Sequence, residues 1–267
     1  METFVREQHA TEHPASHDVA ALLGCDSDAI HDAIISQLNS RLLLLPEDWQ
    51  LEVSESGVNG AGAGVHLRGH CAAGTVLCSY PGTVFRPEDL PLMHQMVLPG
   101  NAYVVARRDG VLLDGRPDGP SLQIREMARQ RDAAKRRAAS AAVPCECVRN
   151  FAIGHRINHP PAGLLPNAII FPFDLHEGEH TCLHPLLDVF HFRPPAEGDP
   201  IKQSAVFIAT RPLRDEELFL DYKLNMQGPL EAWYSRVVYP AAKTNASAAA
   251  HRGVQHPHAA LDHEVQV

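Results

Sequence analysis

Three stretches of the chain combine residue types that could do chemistry. The first runs Ser56-Gly-Val-Asn-Gly-Ala-Gly-Ala-Gly-Val65 and is followed by Ser79-Tyr80-Pro81-Gly82. Glycines at 60, 62 and 64 let the backbone approach a ligand closely and leave N–H groups free. The stretch fits no dinucleotide or phosphate fingerprint. Val65 and Leu67 occupy the closing positions of GxGxxG, and GxxxxGK does not occur. Alone, it reads equally well as a glycine-rich hairpin loop. The second stretch is Gly154-His155-Arg156-Ile157-Asn158-His159, continuing to Pro166-Asn167. Asn158 and His159 can hydrogen-bond a heteroaromatic ring, or they can close a turn. The third holds an apolar run over 205–209, a polar turn with Glu216 and Glu217, and a run ending in Asp221-Tyr222.

Other clusters compete for attention. His176-Glu177-Gly178-Glu179-His180 matches the HExxH signature of zinc proteases. That chemistry needs both histidines on one helix face. Gly178 mid-motif, Pro172 and Pro185 in the flanks and the lack of a 3.6-residue apolar period argue for a loop. A looser zinc site from His176, His180, Cys182 and His184 has suitable ligands. Its plain alternative is a solvated insertion, and no metal is expected. Cys145-Glu-Cys147 is too tight for a zinc knuckle and has no second pair, so these are ordinary thiols. Arg125, Arg129, Arg131, Lys135, Arg136 and Arg137 face only Glu126 and Asp132. This basic segment is open to an acidic partner or nucleic acid; a solvated helix face is the simpler reading.

The elements that must position these residues follow from pattern. The chain has 267 residues and 45% hydrophobic content, enough for one domain with extensions. Its net charge of −9 excludes a globally basic nucleic-acid binder. The 21 prolines and 6% aromatics argue against a helical bundle. No apolar leader follows Met1, and the longest apolar stretch, 42–45, is far short of the ~20 residues that span a bilayer. Six cysteines without a secretory framework suggest free thiols in a reducing compartment, nuclear or cytoplasmic. Residues 1–25 read as a mobile lead-in. Ile30, Ile34, Leu38 and Leu42 recur every four residues, which predicts a helix over 27–45. Candidate strands cover 50–53, 64–67, 75–80, 101–107 and 111–113. A second helix is expected over 121–142, strands over 167–173, 204–209 and 217–222, and a short helix over 230–238. Residues 176–200 read as a Pro/His-rich excursion and 241–267 as a disordered tail. Many short strands predict small sheets rather than a doubly wound parallel sheet.

In this order and spacing the three stretches resemble the SET domain, the family of S-adenosylmethionine-dependent protein lysine methyltransferases. Its signatures are a GxG turn, a Y-x-G strand end, an Asn-His loop ending in Pro-Asn, and a GEEL-x-x-DY strand. Here they read Gly62-Ala63-Gly64, Tyr80-Pro81-Gly82, Asn158-His159 with Pro166-Asn167, and Asp215-Glu216-Glu217-Leu218-Phe219-Leu220-Asp221-Tyr222. Finer details, Asp109-Gly-Val-Leu-Leu-Asp-Gly115 and Asn150-Phe-Ala-Ile-Gly154 among them, resemble the subfamily called SET domain-containing protein 9. The resemblance implies a β-rich α+β fold: a β-clip of small curved sheets with a C-terminal pseudoknot, preceded by a helical N-terminal arm. It implies an N-terminal extension with one helix over 1–48 and a SET domain over 49–225. A variable insert would span about 116–147 and a C-terminal helix 226–240. It also implies that Gly62, Ala63, Gly64, Asn158 and His159 hold S-adenosylmethionine. Tyr80 and Tyr222 would line a channel for a protein lysine, with Tyr222 catalytic, and Glu217 would support the fold.

The sequence departs from the family pattern at several points. Pro160-Pro161 replaces the Ser-Cys that usually follows Asn-His, Asp215 stands where glycine is usual, and Leu220 replaces the aromatic that often sets methyl number. No cysteine follows Tyr222, so a post-SET zinc cluster is absent. The alternative is therefore a SET-fold scaffold without activity; the zinc-binding reading of residues 176–180 is more remote.

Overall fold

The computed structural model describes residues 16–43, 48–97, 101–138, 151–224 and 234–239. Helix α2 (Ile30–Leu43) carries the expected four-residue repeat and buries Ile30, Ile34 and Leu38. Its polar residues are used as well. Gln37 Nε2 donates to Gly74 O at 2.9 Å while its Oε1 accepts from Val76 N at 2.8 Å. Arg41 donates to Leu77 O at 2.7 Å and lies over the rings of Trp49 and Phe151. This helix completes the hydrogen bonding of a neighbouring strand and shares its core.

A further helix, α1 (Ser16–Leu23), corrects the expectation of a mobile lead-in for residues 16–25 and of one helix before residue 48; residues 1–15 lie outside the described residues. It buries Val19 and Ala20 in the same core. Eight residues hold too few apolar positions for a period to show in sequence, so packing rather than pattern defines it.

The strands form three small sheets, as a β-rich α+β reading requires. Sheet one pairs β1 (Trp49–Glu55), β2 (Ala63–Cys71) and β10 (Leu213–Glu217) in the order β1-β2-β10. Sheet two joins β3 (Val76–Ser79), β9 (Lys202–Ala209) and β7 (Ala168–Leu175) in the order β3-β9-β7. Its central strand β9 is buried at every position, which explains its continuous apolar reading. Sheet three orders β5 (Val104–Ala106), β6 (Leu112–Asp114), β4 (Gly82–Phe85) and β8 (Val189–His191) as β5-β6-β4-β8. In it β8 runs parallel to β4. Strand β8 lies inside the stretch read as an excursion, and three residues are too few to alternate visibly. Helix α3 (Leu90–Met96), also unforeseen, packs Met93 against Phe85 in a small second cluster. Helix α4 spans Gly119–Ala138.

The expected strand over 217–222 is displaced. Strand β10 ends at Glu217, and beyond it Phe219 and Leu220 form isolated parallel bridges with Asn158 and Ala168. The expected helix over 226–240 is also absent from its described part, because Tyr234–Tyr239 has no regular structure. There the Ser235 carbonyl accepts from His159 instead of from a helical N–H. Residues 225–233, and the tail expected over 241–267, lie outside the described residues. The chain divides into a compact unit, Met1–Val237, and a terminal stretch, Val238–Val267. Among the described residues no helix is long and apolar enough to cross a membrane.

The core role of α2 is measurable. Leu38→Ala should lower unfolding free energy by about 2–5 kcal/mol in urea titration. Ser36→Ala, on the exposed face, should stay within about 0.5 kcal/mol.

Candidate active site

Strands β1 and β2 form a hairpin whose loop carries Gly57, Gly60 and Gly62; Ser56 N–H closes it onto Gly62 O at 2.8 Å. Gly62 has a φ of +73° and open space where a Cβ would stand, so the backbone there requires glycine but no neighbour crowds it. Gly64 is glycine for the opposite reason. A Cβ at that position would lie 2.1 Å from Glu217 Oε1 and 3.1 Å from Asn158 Nδ2.

Glu217 is 9% exposed. Its carboxylate accepts from Ser56 Oγ at 2.6 Å, Gly57 N at 2.9 Å and Asn158 Nδ2 at 3.3 Å. Neutral donors thus hold a buried carboxylate, and it fixes the glycine loop. Asn158 also donates to Ala63 O at 3.1 Å. Gly62 and Ala63, with residues 55–60, line an open recess of about 630 Å³.

A second, narrow cavity of about 60 Å³ is lined in part by Ile157, the residue before Asn158. Tyr80 and Tyr222 both line it, together with Ile157, His155, Leu220 and Asp221. Tyr80 Oη donates to Tyr103 O at 2.8 Å and Tyr222 Oη to Ile157 O at 2.9 Å. Each phenol has therefore committed its hydrogen to a backbone carbonyl, so each oxygen keeps lone pairs to offer. Burial, with Tyr222 and Asp114 nearby, pushes the Tyr80 phenol well above its ordinary range, so it stays un-ionised.

His159 lines neither cavity. It is 4% exposed and both ring nitrogens are engaged. Nδ1 accepts from Tyr222 N–H at 3.2 Å, which leaves Nε2–H to donate to Ser235 O at 2.7 Å. The ring stacks on Tyr234 at 4.5 Å. Of the seven residues singled out in the sequence, Tyr80 and Tyr222 come together in one cavity and Gly62 and Ala63 line the other. Gly64 and Asn158 line neither cavity but pack against Glu217 beneath the glycine loop, and His159 ties Tyr222 to the C-terminal segment.

Sequence reasoning missed His155, Tyr103 and Asp221 as cavity or contact residues. His155 lies in a 3-10 turn, Gly154–Arg156, and nothing in its neighbours' types marks it. Burial first, then Arg156 and Arg125, lower its pKa from the ordinary 6.5 to about 4.

The competing clusters do not assemble. His176 to His180 forms a turn, with Glu179 N–H donating to His176 O and His180 in left-handed backbone at φ +40°. It is no helix face, and among the described residues no three metal-ligating side chains converge. The basic segment is partly spent: Arg125 is buried, and Arg129 pairs with Asp188 and Glu126.

Among solved structures, the chain is similar to KRYPTONITE. One structure, in complex with mCHH DNA, an H3(1-15) peptide and SAH, shares 19% identity over 73% of this chain, at a TM-score of 0.35. Another, with mCHG DNA and SAH, shares 18% identity over 73% of this chain, also at 0.35. The chain spans 28% of the length of each. No family model matches it, and no curated protein does. A likeness at this TM-score is too loose to identify the fold, so the residues themselves carry the reading that follows.

The depressed His155 pKa fixes a pH dependence. The unfolded chain takes up a proton at this histidine as pH falls from 6.5 toward 4 while the folded chain does not, so stability falls over that window. The contribution is roughly 3 kcal/mol at most, less for the part of the ring that water reaches. Urea midpoints measured between about pH 7 and 4 should fall less steeply in His155→Gln than in the parent chain.

Proposed function

We propose that the chain is an S-adenosylmethionine-dependent protein lysine N-methyltransferase of the SET type, with residues 49–225 as its catalytic domain. The observation that carries this reading is the pair of phenols, Tyr80 and Tyr222, on the walls of one narrow cavity, with their hydrogens already committed to backbone carbonyls. The ordered sequence motifs support it independently. The SET domain-containing protein 9 resemblance and the nuclear or cytoplasmic location are part of the proposal and rest on sequence alone.

The recess over the glycine loop is where the cofactor would lie, because it is open there and Gly62 presents bare backbone toward that space. Gly62 and Ala63 would hold the cofactor there, with Asn158 holding the Ala63 carbonyl in place. S-adenosylmethionine supplies a methyl group on a positively charged sulfur, activated for in-line displacement.

The chain's residues do the rest. A lysine amine has a pKa of ~10.4, so about one in two thousand is neutral at pH 7. The two phenol oxygens can each accept one N–H of a neutral amine, which leaves the lone pair free and aimed. Asp221, at the cavity, gives an approaching cation a favourable entry. The wall residues Val104, Ile157, Ile170 and Leu220 exclude water and strengthen every polar contact inside. Alignment and a dry, fixed electrostatic setting supply the rate, without a covalent enzyme intermediate. Leu218 to Leu220, passing beside Asn158 and Ala168, support the proposed pseudoknot.

Tyr222→Phe tests the reading. Transfer of labelled methyl into cell-extract protein should fall by roughly two orders of magnitude or more. S-adenosylmethionine at 100 times its Kd should stabilise parent and variant alike by about 2.7 kcal/mol in thermal unfolding. Undiminished transfer in the variant would remove Tyr222 from its role. Neither transfer nor stabilisation in the parent would leave the scaffold.

A further inference from the structure

Behind the channel wall lies a charge that the proposed transfer does not yet use. Tyr80 and His155 meet at Gly115, where a Cβ would stand 3.0 Å from Tyr80 Cε1 and 2.9 Å from His155 Cβ. The next carbonyl, Arg116 O, accepts from Arg125 Nη2 at 2.6 Å. Arg125 enters from α4 and is 4% exposed. Among the described residues it forms no ion pair, and its Nε is buried without a partner.

Its charged surroundings are few. Asp188 is already held by Arg129 on α4. Asp114 on β6 takes its bonds from Asn101, Ser121 and the Arg116 N–H. Among the described residues Arg129 adds a like charge, and Tyr80 and His155 are the titratable groups that Arg125 acts on, with Arg156 acting on His155 from the next residue. A buried guanidinium without direct neutralisation is costly to keep, and such groups concentrate at functional sites.

We propose that Arg125 is a positioning residue of the channel: its buried, unpaired guanidinium behind the Tyr80–His155 wall disfavours the ammonium form of an entering lysine and so supplies the neutral amine. This rests on the methyltransferase reading and names how that site obtains its nucleophile. A positive charge that discourages imidazolium on one face of the wall discourages ammonium beside it by the same Coulomb law. The proton passes to water, and the amine keeps the electron pair that attacks the methyl carbon. His155 is not its acceptor. A group with a pKa of about 4 would take a proton from an ammonium of ordinary pKa against a ratio of about a million to one. Asp114 pulls the other way at Tyr80, and Arg125 offsets it. Asp221 at the cavity also favours a cation, so removing the guanidinium leaves two carboxylates, Asp114 and Asp221, that favour the ammonium.

The full chain carrying Arg125→Gln, Arg125→Lys or the exposed-site Arg156→Gln tests this in two ways. Proton NMR of the His155 ring reads the wall charge with no need for any transfer. Arg156→Gln and Arg125→Gln should each raise the His155 pKa from about 4 toward its ordinary value, and Arg125→Lys should restore it. Labelled transfer against pH should show its rising limb moved to higher pH in Arg125→Gln, several-fold slower near about pH 7 and little changed near about pH 9. Arg125→Lys should return the limb to its place. A uniform loss at every pH, with the limb unmoved, would make Arg125 merely structural and overturn the proposal. An unmoved His155 titration in Arg125→Gln overturns it too, Arg156→Gln serving as the control that the ring responds to a neighbouring charge; should Arg125→Gln fail to fold, Arg125→Met is read in its place. Shifted titrations in a chain that transfers no methyl would instead sink the methyltransferase reading and leave the charged wall standing.

Discussion

Most of the site hangs on one buried amide. Asn167 is 1% exposed, and its side chain holds the returning chain from both sides. Nδ2 donates to Glu217 O at 2.8 Å and to Glu216 Oε2 at 3.1 Å, while Oδ1 accepts from Phe219 N at 2.7 Å. Its own N–H reaches Phe219 O at 3.2 Å. The segment from Leu218 to Leu220 belongs to no sheet, so these bonds replace the ladder it lacks. An amide buried in this way is worth far more in place than its replacement, because loss of one partner leaves several groups unpaired. Fixing Glu217 on one side sets the glycine loop; fixing Phe219 and Leu220 on the other carries Tyr222 to the narrow cavity.

The order of these dependencies explains what could be read from sequence. Ile30, Ile34 and Leu38 advertise α2 because one face repeats over fourteen residues, and β9 advertises itself because both its faces are buried. Strand β8 and helix α1 are too short for any period to emerge, and tertiary contacts define them. The C-terminal segment misleads in a more interesting way. Residues 230–238 have helical spacing, yet at Ser235 the histidine at 159 takes the carbonyl and Tyr234 takes the face of its ring. A single buried donor and one stacked ring outweigh a weak local preference, since propensity differences are tenths of a kcal/mol per residue.

The candidate site was legible as residue types and order, less so as roles. Tyr80 and Tyr222 stand over a hundred residues apart and only the fold brings them to one cavity. His159 carries the same letter in any loop that touches a cofactor, but its ring here is used up in holding Tyr222 and Ser235. His155, which does line the channel, has no neighbour in sequence that would single it out. What identifies it is burial without a partner for Nδ1, a property of packing alone.

Asp215 shows how a departure from a family pattern can still satisfy the physics behind it. It stands where the resemblance expects glycine, and its backbone has a φ of +44°, in the left-handed region that glycine enters freely and most residues avoid. Aspartate is among the few side chains that tolerate it, because a short carboxylate can bond to nearby backbone. Here Oδ1 accepts from Gly69 N–H at 2.8 Å across the sheet. The register of β10 on β2 shifts between Arg214 and Glu216, around this residue. That bulge leaves Glu217 opposite His66, its carboxylate turned onto the glycine loop and the chain released toward Asn167. Any residue unable to hold the left-handed turn would move the bulge, and with it Glu217 and the path to Tyr222. The requirement at position 215 is thus conformational, and aspartate meets it with a hydrogen bond where glycine would meet it with freedom.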